Sequence, residues 1–133
     1  VLRESEHSTH ALVFTAPDIL TRLLAARFLV GFSMLLALSL PALIRLLASD
    51  PLSAAAVLTA ITSITSWGLC LGALCRNARP FELVMVGTVY ACLNGATVFA
   101  AATHPLATMT THAIGLVPAW LLLAWAWPRL ARR

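Results

Sequence analysis

The sequence contains no lysine; all nine of its basic residues are arginine. A phosphate-binding loop of the G-x-x-x-x-G-K-[ST] kind, a Schiff-base enzyme and a lysine general base are excluded. Charge of either sign is scarce, at 11% of residues, while 60% are apolar. A soluble domain carries about 25% charged residues because it must cover its core with a wet surface, and this chain cannot do so. Disorder is excluded as well, since it requires low hydrophobicity. Cysteine is limited to Cys70, Cys75 and Cys92. An odd number inside apolar stretches gives neither a disulfide framework nor the paired spacing of a zinc site. These three read as small apolar fillers.

What is present is apolar sequence, about 80 residues of 133. A membrane-spanning helix uses roughly 20, so the chain holds material for about four. The charges fall between four long stretches. The first, Phe28 to Ile44, is bracketed by Arg27 and Arg45, whose long side chains can reach the headgroups. The second, Leu52 to Cys75, follows Asp50-Pro51, a capping carboxylate and a proline suited to the first helical position. The third, Phe81 to about Thr103, opens at Pro80 with Glu82 in its first turn, near the positive end of the helix dipole. The fourth lies within Leu106 to Trp127. Its strict apolar core begins only at Ala113, so the threonines before it, or a re-entrant start at Pro105, must supply the missing turn.

Orientation follows from the arginines. Four spans place Arg3, Arg22, Arg27, Arg76, Arg79, Arg129, Arg132 and Arg133 on one side and Arg45 alone on the other. By the positive-inside rule the arginine-rich side, with both termini, is cytoplasmic, and Trp125 and Trp127 beside Arg129 form an interfacial belt there. The +4 net charge is thereby accounted for. It implies no nucleic-acid partner, which would need a basic stripe interleaved with aromatic residues.

Ahead of the first span, residues 1–27 are too polar to cross. Thr15-Ala16-Pro17-Asp18 reads as a helix start, after which Ile19, Leu20, Leu23, Leu24 and Phe28 recur at helical spacing. This is an amphipathic lead-in. Glu4 and Glu6 are poorly suited to anchoring on an anionic leaflet and favour docking to a cytosolic partner.

The run Arg3-Glu4-Ser5-Glu6-His7-Ser8-Thr9, continued by Ala11 to Pro17 and a basic residue, Arg27, at the next span, resembles the cytoplasmic coupling segment of permease subunits of type-2 ATP-binding-cassette exporters. Arg76-Asn77-Ala78-Arg79-Pro80-Phe81-Glu82, with Tyr90 and Asn94-Gly95 downstream, is similar to that family's short cytoplasmic turn and following span. Ser8 departs from the family's usual glycine. The resemblance covers the last four of six usual spans and implies that Val1 lies partway along a longer permease. It further implies that Glu4, Glu6, Thr9 and Pro17 couple to a separate ATPase subunit, and that a second permease subunit, identical or not, completes the transporter.

No ionisable residue lies well inside the first three stretches, so a proton relay is unsupported. Asn94, expected near the middle of span three, must find a partner in hydrocarbon and is expected to face protein. Gly68-Leu69-Cys70-Leu71-Gly72 is a G-x-x-x-G pair preceded by Thr59, Thr62, Ser63, Thr65 and Ser66. Ser63, Ser66, Gly68, Gly72 and Asn94 are therefore the candidate path-lining or helix-packing residues. Ser33 with His104 or His112 offers a minimal nucleophile and base for an intramembrane protease, and neither histidine has the companion ligands of a metal site.

The expectation is an all-α polytopic membrane protein: a coupling segment over residues 1–27, then spans near 28–44, 52–75, 81–103 and 106–127. Its expected function is that of a permease component of an ATP-driven exporter in a bacterial inner membrane. It is not expected to be an enzyme itself or to carry a cofactor or metal; lipid, an ATPase and a second permease are its partners. The alternative is a four-helix membrane anchor or assembly protein that transports nothing.

Overall fold

The computed structural model describes residues 19–77 and 79–131. They form four helices and, among the described residues, no strand: α1 (Ile19–Ser49), α2 (Pro51–Cys75), α3 (Arg79–Leu93) and α4 (Pro105–Ala131). Three of these are long and apolar enough to cross a membrane, over Thr21–Ser49, Pro51–Cys75 and Pro105–Arg129.

The lead-in and first span are one continuous helix, since nothing between Ile19 and Phe28 breaks helical propensity. Asp50 alone separates α1 from α2. Its carboxylate accepts the Leu52 N–H at 3.1 Å and the Ser53 hydroxyl, while Pro51 takes the first helical position. The orphan amides of a helix start are thus partly satisfied. Arg76, in the left-handed conformation at φ 53°, closes α2. Asn77 Oδ1 accepts the Arg79 N–H at 3.2 Å, and α3 then begins with Glu82 in its first turn.

The third expected span differs. The helix stops at Leu93 after 15 residues, about 22 Å at 1.5 Å per residue, short of a hydrocarbon core of about 30 Å. Gly95 adopts φ +95°, a conformation that glycine takes without penalty, and the Asn94 side chain donates to the Tyr90 carbonyl at 2.8 Å. Turns then lead to α4, fixed by Ala96 N–H to Ala91 O at 3.0 Å and His104 N–H to Ala100 O at 2.7 Å. Helix α4 starts directly at Pro105 and needs no re-entrant segment. Thr110 and Thr111 donate to the carbonyls of Leu106 and Ala107 at 2.9 and 2.8 Å, which hides their polarity within the helix.

Helix α2 is the centre, packed most extensively on α4, then on α1, then on α3. Its buried residues are small: Ser53, Ala54, Ala56, Ala60, Ser63, Thr65, Ser66, Cys70 and Ala73, with Ile61 the one large member. Many large side chains of its neighbours point outward instead, as with Leu38 of α1 at 77% and Leu83 of α3 at 72% exposure. In lipid this is the economical arrangement. Burying a leucine against another helix gains little over burying it in acyl chains, so close backbone approach through small residues supplies the packing.

Contacts fix the register. Leu23 and Leu24 of α1 pack on a cluster of Cys70, Ala73, Leu123, Ala126 and Trp127, and Leu43 of α1 packs with Ala54 and Ile61. Helices α1 and α2 are therefore antiparallel, and α2 and α4 run parallel. Arg22, Arg76, Arg79 and Arg129 gather at one end of the bundle, Arg45 and Asp50 at the other. At the first end the Arg129 guanidinium carbon lies 3.4 Å from the Trp125 ring centroid, a cation–π contact. Phe28 and Trp120, with centroids 5.8 Å apart, join α1 to α4.

Candidate functional site

The five lining candidates do not converge. Ser66 is fully buried, but its hydroxyl donates to the Thr62 carbonyl at 2.8 Å. Thr59, Thr62 and Thr65 do the same to residues four positions earlier, at 2.8 to 2.9 Å. Hydroxyls satisfied within their own helix do not make a polar wall. Gly68 packs: a Cβ there would stand 3.4 Å from the Phe81 ring of α3. Gly72 meets nothing within 4 Å, so the G-x-x-x-G pair acts through its first member alone. Asn94 is exposed at the end of α3 and bonded to its own helix, rather than facing protein in mid-span. The coupling candidates Glu4, Glu6, Thr9 and Pro17 lie outside the described residues.

Ser63 alone of the five borders an internal space. A cavity of about 340 Å³ lies between α2, α3, α4 and the turns after α3, walled by Ser63, Trp67, Phe81, Phe99, His112 and Gly115 among others. It exists because α3 is short and loosely packed, with no buried residue, while Val98 and Phe99 fold over the gap that α3 leaves. His112 is 7% exposed. Its Nε2 donates to the Val98 carbonyl at 3.0 Å, and its ring stacks on Phe99 at 5.4 Å and 20°. Apolar walls with a few converging polar groups, in a volume of some hundreds of Å³, are the usual make-up of a small-molecule pocket.

Ser33 and His104 play no part in this site. The Ser33 hydroxyl donates to the Val30 carbonyl at 3.0 Å on the exposed side of α1, and His104 is exposed in the turn before α4.

The sequence reading missed two glycines, Gly31 at a tight helix contact and Gly115 at the cavity wall. A Cβ on Gly31 would stand 3.2 Å from Thr65, and one on Gly115 would stand 3.5 Å from the Trp67 indole nitrogen. Both contacts join positions far apart in the chain, and no local spacing marks them.

Compared with known proteins, the chain matches no family model, no curated protein and no solved structure.

Proposed function

We propose that this chain is the membrane-embedded part of the permease of an ATP-driven exporter in a bacterial inner membrane, with hydrolysis carried out by a separate cytosolic subunit. The continuity of α1 carries this reading. Helix Ile19–Ser49 is a single 31-residue element that begins at the arginine-rich end, next to the α2–α3 turn. A push delivered to the segment around Glu4 to Pro17 would therefore enter a continuous helix whose stretch ahead of Pro41, Ile19 to Leu40, is about 33 Å long at 1.5 Å per residue. Antiparallel packing against α2, close at Gly31 and Thr65, passes the movement to the centre of the bundle. The absence of lysine is consistent with an external ATPase. With a second permease subunit, such movement would alternate access between the two sides.

The anchor reading draws on one observation: the hydroxyls of Thr59, Thr62, Thr65 and Ser66 are turned onto carbonyls of their own helix, so the described residues of one chain form no continuous polar path. Crosslinking separates the two readings. Cysteine at Ser5 or Ser8 (S5C, S8C) is expected to crosslink to an ATPase subunit in native membranes. Labelling of these positions from outside intact cells overturns both orientation and mechanism; cytoplasmic labelling with no ATPase adduct supports the anchor.

A further inference from the structure

The cavity holds two donors that the fold leaves unmatched. Ser63 is 3% exposed, yet its hydroxyl, unlike those of Thr59, Thr62, Thr65 and Ser66, bonds to no carbonyl of its helix. The Trp67 indole N–H, one helical turn further on, also has no hydrogen-bond partner among the described residues. Both point to the same spot. A Cβ on Gly115 would stand 3.5 Å from Trp67 Nε1 and 3.9 Å from Ser63 Oγ, so the missing side chain leaves a notch in front of the two donors. Both atoms are open to the cavity rather than sealed in the core, and the bilayer supplies no water to pair with them, so an acceptor on a bound molecule would gain a hydrogen bond there.

We infer that the cavity is a binding site for a neutral, lipid-soluble molecule carrying a carbonyl or ester oxygen, with that oxygen seated in the notch over Gly115. Each part of the chemistry has its counterpart. Indole nitrogen donates only, so the ligand atom must accept. Phe81, Phe99 and the His112 ring offer aromatic walls to an apolar body. Among the described residues no Arg, Asp or Glu lines the space, so they offer a charged ligand no counterion. The cavity is partly open at its surface, so a molecule can enter it without the helices separating. The site stands whether or not the chain transports.

Benzophenone is a suitable probe, being neutral, apolar and aromatic, with a ketone that both accepts hydrogen bonds and photocrosslinks. Irradiated with the full chain in lipid nanodiscs, it is expected to insert preferentially near Ser63 to Leu71 and Thr111 to Gly115, mapped by peptide mass spectrometry. Calorimetric titration is expected to show diphenylmethane, which has the same shape without the carbonyl, binding about threefold to tenfold more weakly, the worth of one such hydrogen bond. W67F combined with S63A should remove that difference while helix content is unchanged. Insertion spread evenly over the lipid-facing residues of α1 and α3 overturns the site. Equal binding of the two compounds to the unsubstituted chain overturns the role of the notch, and this comparison requires no variant to fold.

Discussion

Asp50 is the only residue between α1 and α2, and one carboxylate serves both the Leu52 N–H and the Ser53 hydroxyl. The Ser53 hydroxyl, with help from the backbone N–H groups of Leu52 and Ser53, holds its pKa below the ordinary value of 3.8. A carboxylate whose pKa is depressed by folding stabilises the fold fully above its unfolded pKa, and that contribution is lost as pH falls through the lowered folded value. D50N retains a capping oxygen but cannot titrate. The unsubstituted chain is therefore expected to melt at a higher temperature than D50N at neutral pH, with the gap closing as pH drops below about 4, where Asp titrates. D50A should melt lower than D50N at neutral pH. Thermal scans in detergent at several pH values check all three; a gap that is constant with pH removes the carboxylate from the account. This cap was legible in the sequence because Asp-Pro carries its chemistry in adjacent residues.

Among the elements, α3 departs most from the reading of its sequence, and the reason is local. Phe81 to Thr103 carries only Glu82 as a charge and is apolar on average, so length and hydropathy read it as a span. The helix breaks at Asn94-Gly95 because Gly95 takes a positive φ and the Asn94 amide turns back to Tyr90. Asparagine followed by glycine is itself a turn signal, overridden in the reading by the apolar run around it. Two glycines of this region make opposite predictions. G95A places a Cβ at φ +95° and is expected to cost about 1–3 kcal/mol. G87A lies within the helix with nothing within 4 Å of the new methyl, and should be neutral or stabilise by about 0.4–1 kcal/mol. Unfolding by graded denaturing detergent measures both, and equal effects would remove the special role of the break. The fourth span, by contrast, was legible once its threonines were allowed to bond inward. The cavity was not, since it depends on where a short helix and the turn after it settle against α2 and α4.

For the whole molecule, the feature with most consequence is the sorting of charge along the bundle axis. Antiparallel α1 and α2, with α4 parallel to α2, gather Arg22, Arg76, Arg79 and Arg129 at one end and leave Arg45 and Asp50 at the other. Arginine near span ends resists translocation, so this end is expected to stay cytoplasmic. Natural labels suit the test. Cys75 is exposed at the arginine-rich end, while Cys70 is buried and Cys92 half-buried. With Cys70 and Cys92 replaced by serine, a membrane-impermeant maleimide should label Cys75 in inverted vesicles and not in intact cells. With all three cysteines replaced, S49C, one residue from Asp50 at the opposite end, should give the reverse pattern. The cause can be probed as well as the orientation. R76S with R79S removes two of the arginines at the turn and should produce a minority of chains with Cys75 labelled from outside, whereas R45S should leave the pattern unchanged. If R76S with R79S inserts in a single orientation, the turn arginines do not set the topology, and the remaining arginines of that side, Arg3, Arg22, Arg27, Arg129, Arg132 and Arg133, must hold it.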